Sequence, residues 1–193
     1  MKKRTMIAGL LGLAMWPGIS HAQSCGNDSI YKIPYKDTYV KQALVAENEF
    51  RVQQPKYVTL PTFAEAKQIL PNPIWAGHEE EINMYWRAWE IGVGNLRNPQ
   101  PGSGFIMPYI DTAYNGNIFM WDSSFILMFA RYGARFFPFQ NTLDNFYAKQ
   151  HPDGFICREI KADGADCFER YDPVSTGPNL IPWREIVYFH PFG

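Results

Sequence analysis

Cysteine is scarce in this chain, with three among 193 residues, which leaves room for a single disulfide. Neither sign of charge dominates: 18 Lys and Arg face 19 Asp and Glu, for a net charge of −1. The basic residues stand singly, so the footprint of a nucleic-acid binder is missing and no nucleic-acid partner is expected. Past residue 22 no stretch offers the roughly 20 consecutive apolar residues of a membrane-spanning helix, and no membrane partner is expected either. His78, His151 and His190 lie far apart without the spacing of metal ligands, so no metal site is expected, and nothing calls for a cofactor. Sustained alternation of apolar and polar residues is almost absent, which leaves little signal for strands.

What is present begins with a leader. Lys2, Lys3 and Arg4 precede an uncharged apolar run from Met6 to Trp16 and a short polar end, Ser20-His21-Ala22. That is the pattern of a secretory signal peptide spanning 1–22, cleaved near Ala22. The mature chain is then periplasmic or secreted, and export makes its cysteines eligible for oxidation. Cys157 and Cys167 are the candidate pair, close enough along the chain to close a small loop, with Cys25 left over. Residues 23–60, polar and broken by Pro34 and Pro55, read as an irregular N-terminal arm. Residues 61–193 read as one domain.

Within that domain TLPTFAEAKQILP predicts a helix from Thr62 to Leu70, because Thr62 and Glu65 make a capping box and Pro71 stops it. The strongest period follows: Ile82, Tyr85, Trp86, Trp89, Val93 and Leu96 recur at three- and four-residue steps, one stripe of a helix whose first turn carries Glu79, Glu80 and Glu81. DSS before an apolar run predicts that Asp122 caps a helix reaching Tyr132, apolar nearly all round and so buried on most sides. Pro138 to Gln150 puts Phe139, Leu143, Phe146 and Tyr147 on one face. A last helix from Asn179 carries Trp183, Ile186, Val187 and His190 on its expected buried face. The predicted class is all-α, an array of helices whose long loops lie at one end.

Those loops, RNPQPGSGFIMPYIDTAYNGN and HPDGFICREIKADGADCFERYDPVSTGPN, carry too many aromatic residues for disorder, and loops of such length in a compact domain are usually functional. Sugars offer apolar ring faces fringed with hydroxyls, so their sites want aromatic platforms beside carboxylate, guanidinium and amide groups. Trp121, Asp122, Asp153, Arg158 and Glu159 supply that vocabulary. Plainer readings stand beside it: Pro152-Asp153-Gly154 is a turn sequence, and Arg158 with Glu159 reads equally as a surface ion pair of small consequence.

NIFMWDSSFILMFARYG followed by LDNFYAKQHPDGFICREI resembles the six-hairpin, (α/α)6-toroid glycosidases. The likeness runs from about Trp75 to Gly193 and points in particular to glycoside hydrolase family 63 and its mannosylglycerate-hydrolase-like members. The resemblance implies a ring of six helical hairpins, of which this chain would form an incomplete part, with the site where the long loops meet. It implies that Trp121 and Asp122 hold the sugar that is cleaved, with Asp153, Arg158 and Glu159 facing the same pocket. The expected ligand is an α-linked glycoside, hydrolysed with inversion by two carboxyl groups about 6.5–9.5 Å apart. The segments that carry the family's acid and base have no counterpart here, so no catalytic residue is assigned. Two other readings remain: Asp122 and Glu159 as a self-contained carboxylate pair, and a non-catalytic carbohydrate-binding or remnant protein. Part of a ring leaves hairpin faces open, so Trp86, Trp89, Phe125 and Phe129 are expected to be partly exposed and the chain to self-associate.

Overall fold

The computed structural model describes Val45 and residues 47–111, 114–169 and 180–189, without the side chains of 187–189. The leader, most of the arm, Cys25, His190 and the side chain of Val187 lie outside the described residues. The described part is helix-rich, with five α-helices: α1 Phe63–Ile69, α2 Glu79–Gly94, α3 Met120–Ala130, α4 Thr142–Ala148 and α5 Ile181–Phe189. Four two-residue strands, β1 Leu96–Arg97, β2 Tyr109–Ile110, β3 Ile118–Phe119 and β4 Glu159–Ile160, form two antiparallel pairs, β1 with β2 and β3 with β4. These ladders correct the expectation of helices joined by loops alone. Two residues per strand are too few to show a period in sequence.

Local chemistry accounts for α1. The Thr62 hydroxyl accepts from Glu65 N–H while the Glu65 carboxylate accepts from Thr62 N–H, the reciprocal pair of a capping box. Hydrogen bonding to Thr62 holds the Glu65 carboxyl below its usual range. The helix lies on α2, where the Lys67 ammonium sits 4.8 Å from the Trp86 ring centre.

The α2 stripe falls where its period puts it, with Trp89, Val93 and Leu96 buried and Ile82, Tyr85 and Trp86 half-buried. Trp89 is the hub, its ring centre 5.2 Å from Phe129, 5.9 Å from Phe136 and 6.1 Å from Phe139. The expected exposure of Trp89 is therefore corrected, since the residues after α3 fold back over it. A 3-10 turn at Arg131–Gly133 makes that return. A Cβ at Gly133 would fall within 2.5–2.9 Å of Phe136, Phe139 and Trp89, so only glycine lets the three rings close.

Helix α4 begins as a 3-10 turn, Phe139–Asn141, before becoming α-helical at Thr142. Phe139, Leu143 and Phe146 are buried as its period predicts, with Tyr147 at the margin. Its polar residues order the first long loop. Asn145, fully buried, accepts from the N–H groups of Ile106 and Met107 and donates to Met107 C=O. Thr142 accepts from Ile110 N–H at 3.2 Å. Each backbone group left unmade in such a site would cost roughly 1–3 kcal/mol, which explains how a Pro- and Gly-rich segment holds one conformation.

Two expected faces are corrected. Helix α3 buries Met120, Ser123, Ser124, Leu127 and Ala130, while Trp121, Phe125, Met128 and Phe129 stay 38–47% exposed. Helix α5 buries Ile181 and Arg184 and exposes Trp183 and Ile186. The inward position of Arg184 has a specific cause: its Nη2 donates to Leu127 C=O at 2.6 Å, at the end of α3. A charged residue in sequence reads as outward, and only the tertiary partner turns it in.

Candidate functional site

The β3–β4 ladder positions the candidate residues. Its register pairs Ile118 with Ile160 and Phe119 with Glu159. Both isoleucines are fully buried, so the next residues along each strand point the other way. Helix α3 starts directly at the end of β3, and Met120 N–H donates to Arg158 C=O at 2.8 Å. That bond satisfies one of the N–H groups a helix start leaves open. The expected capping role of Asp122 is corrected on this ground: Phe119 holds the cap position and makes no side-chain cap bond. Asp122 lies in the first turn, exposed, where the helix dipole favours its charge.

Around this junction the Asn117 amide donates to Glu159 Oε1 at 2.9 Å, and Cys167 N–H donates to Glu159 C=O at 3.0 Å. The Arg158 guanidinium lies 3.8 Å from the centre of the Phe168 ring, stacked as a cation on an aromatic face. Tyr114, 74% exposed, has its ring 5.8 Å from Phe119. Desolvation and the charge of Glu159, with a smaller part from Asp122, hold the Tyr114 phenol above its usual range. Both carboxylates are thus felt at one hydroxyl.

The backbone bond from Met120 to Arg158 brings the Trp121-Asp122 and Arg158-Glu159 segments, four of the five sequence candidates, next to each other. Arg158 and Glu159 engage Phe168 and Asn117, which replaces the reading of them as a surface ion pair. Asp153 serves the tight turn instead: Gly154 N–H donates to His151 C=O, Gly154 has φ +94°, and Asp153 Oδ1 accepts from Phe155 N–H. Cys157 and Cys167 are both buried, in the second long loop. Burial pushes the Cys157 thiol up to about 11, and its Sγ donates to Phe168 C=O.

Sequence reasoning missed Tyr114, Asn117 and Phe168, which reach the junction from loop positions without any period. It also missed what fastens the second loop. Buried His151 and Asp166 meet at 2.5 Å, Nε2 to Oδ2. Gly164, at φ +86°, lies so close to Ser103 C=O that a Cβ there would overlap it at 1.7 Å. Lys149 Nζ donates to the same carbonyl at 3.2 Å. The two long loops therefore lie against each other. Among the described residues no helix is long and apolar enough to cross a membrane, and no three His, Cys, Asp or Glu side chains gather as metal ligands. No family model, curated protein or solved structure compared with this chain matches it.

Proposed function

We propose that the junction of β3, β4 and α3 holds an α-linked sugar, and that the chain belongs functionally with exported, inverting glycoside hydrolases of the (α/α)6-toroid type. The observation that carries this reading is the bond from Met120 N–H to Arg158 C=O. Through it the Trp121-Asp122 and Arg158-Glu159 segments, which the resemblance assigns to one pocket, share one place. The groups there suit a polyol. Asp122 and Glu159 accept from hydroxyls, Asn117 and Tyr114 donate or accept, Arg158 donates, and Trp121 offers a ring face.

In this reading Asp122 and Glu159 orient the sugar and are not the acid and base. Inverting hydrolysis needs one carboxyl group to protonate the leaving oxygen and a second to activate water, and neither role is assigned to a residue of this chain. A second reading has Asp122 and Glu159 do the chemistry themselves, as a self-contained pair.

The test is calorimetric titration of the full chain with α-linked glucose and mannose disaccharides, alongside a hydrolysis assay. Asp122→Ala is expected to weaken binding about tenfold, equivalent to about 1.4 kcal/mol, while the helix loses at most about 1 kcal/mol of dipole stabilisation. Unchanged affinity in that variant sinks the assignment. Turnover that Glu159→Gln abolishes would move the chemistry onto the pair, and binding without turnover would mark a carbohydrate-binding role.

A further inference from the structure

The polar junction does not end at Trp121. Phe125 lies four residues on, one helical turn along the same face of α3, and its ring centre is 5.3 Å from that of Trp121. Across the α3–α5 contact the Trp183 ring follows at 6.4 Å from Phe125. The three side chains belong to residues 47%, 44% and 41% exposed, in order. Large aromatic side chains dominate the energetics of cores and interfaces when buried, and three in an exposed row ask for an occupant.

The third ring is not there by default. Trp183 precedes Arg184, whose guanidinium is fully buried and donates to Leu127 C=O at 2.6 Å. That bond fixes the rotation of α5 about its axis, and the neighbour of an inward-locked arginine is held outward. The row is therefore set by a specific buried contact, and it starts at Trp121, the residue before Asp122 in the first turn of α3.

Resting on the sugar-binding reading above, we infer that Trp121, Phe125 and Trp183 form a stacking track, so that the ligand is an α-linked oligosaccharide of three or more units. The unit beside Asp122 and Glu159 is held by its hydroxyls, and the following units lay their apolar ring faces on Phe125 and Trp183. The ring centres step at 5.3 and 6.4 Å with neighbouring planes tilted by 56° and 54°, so the platform turns from ring to ring. A polar clamp followed by apolar rings matches a chain whose every unit has both a hydroxyl fringe and an apolar face. A helix docking on this face would gain nothing from the carboxylates at its end.

The experiment titrates one α-linked series, from disaccharide to tetrasaccharide, into the full chain and into Trp183→Ala, Trp183→Phe and Asp122→Ala. In the unaltered protein affinity should rise with chain length. Trp183→Ala should remove about tenfold of the tetrasaccharide affinity and leave the disaccharide unchanged, with Trp183→Phe restoring most of the loss. Equal losses on both ligands, no loss on either, or no length dependence in the unaltered protein would overturn the track. If Asp122→Ala abolishes binding while Trp183→Ala does nothing, the sugar site stands and the track falls. If no member of the series binds, both fall. A change in Trp183→Ala confined to sedimentation mass would assign the face to a second copy of the chain and overturn the track as well.

Discussion

Gly164 shows how much can rest on one missing side chain. Its backbone is left-handed and its hydrogen faces Ser103 C=O, where a Cβ would overlap at 1.7 Å. Gly77 has a similar φ of +79° but open space around it. Gly77→Ala should therefore cost only the left-handed penalty, roughly 1–2 kcal/mol. Gly164→Ala should exceed it by at least about 2 kcal/mol, since the loop must also move off Ser103. Chemical denaturation of the two variants checks the difference, and equal losses would show that the loop contact does not hold in solution. None of this is visible from ADGAD as written. The sequence marks a turn, but which glycine meets another backbone depends on a segment far away in the chain.

At the level of elements, what the sequence reveals depends on how local the cause is. Thr62 and Glu65 cap α1 with each other, and the α2 stripe faces a core through its own period, so both were legible. Asp122 was misplaced because the first turn of α3 is completed by Arg158, a backbone partner no local pattern can supply. The buried face of α5 was misread because Arg184 turns inward to Leu127, taking Trp183 and Ile186 out. The same contact region yields a pH dependence. Glu185 of α5 accepts from Gln140 at 2.8 Å and from Tyr147 at 3.4 Å. Asp144 of α4, raised to about 6 by burial and then by the charge of Glu185, with Lys56 opposing, shares that contact. Raised in the folded state, Asp144 binds its proton more tightly folded than unfolded. Its contribution is full below pH 3.8 and is lost as pH rises through about 6. The melting temperature should fall over that interval, and Asp144→Asn should flatten the fall. A profile unchanged by the substitution would remove Asp144 from the account.

Over the whole molecule, the helix-rich class agrees with the reading from sequence, while the ring of hairpins and the gathering of the long loops at one end stay proposals. Several large apolar side chains stand exposed. A cleft of about 320 Å³ opens between α2 and α3, lined by Ala88, Ile91, Gly92, Ile126 and Phe129 among others. Met84, Ile91, Met128 and Tyr132 are 39–68% exposed. The native chain should bind a hydrophobic dye and gain mass with concentration in sedimentation equilibrium. A monomer at all concentrations with no dye signal would show these faces to be harmless as they stand.

The bond between Met120 and Arg158 also has a meaning in time. Asn117 and Glu159, on the two sides of that junction, lie 42 residues apart in sequence. On the ribosome the N-terminal partners emerge first, and α1 carries its own capping box, while Trp89 of α2 must wait for Phe129, Phe136 and Phe139. The start of α3 must wait, its N–H unsatisfied, until β4 has left the exit tunnel. The junction of β3, β4 and α3 is thus among the last parts to assemble, and a nascent chain halted before residue 158 carries Trp121 and Asp122 without the strand that sets them.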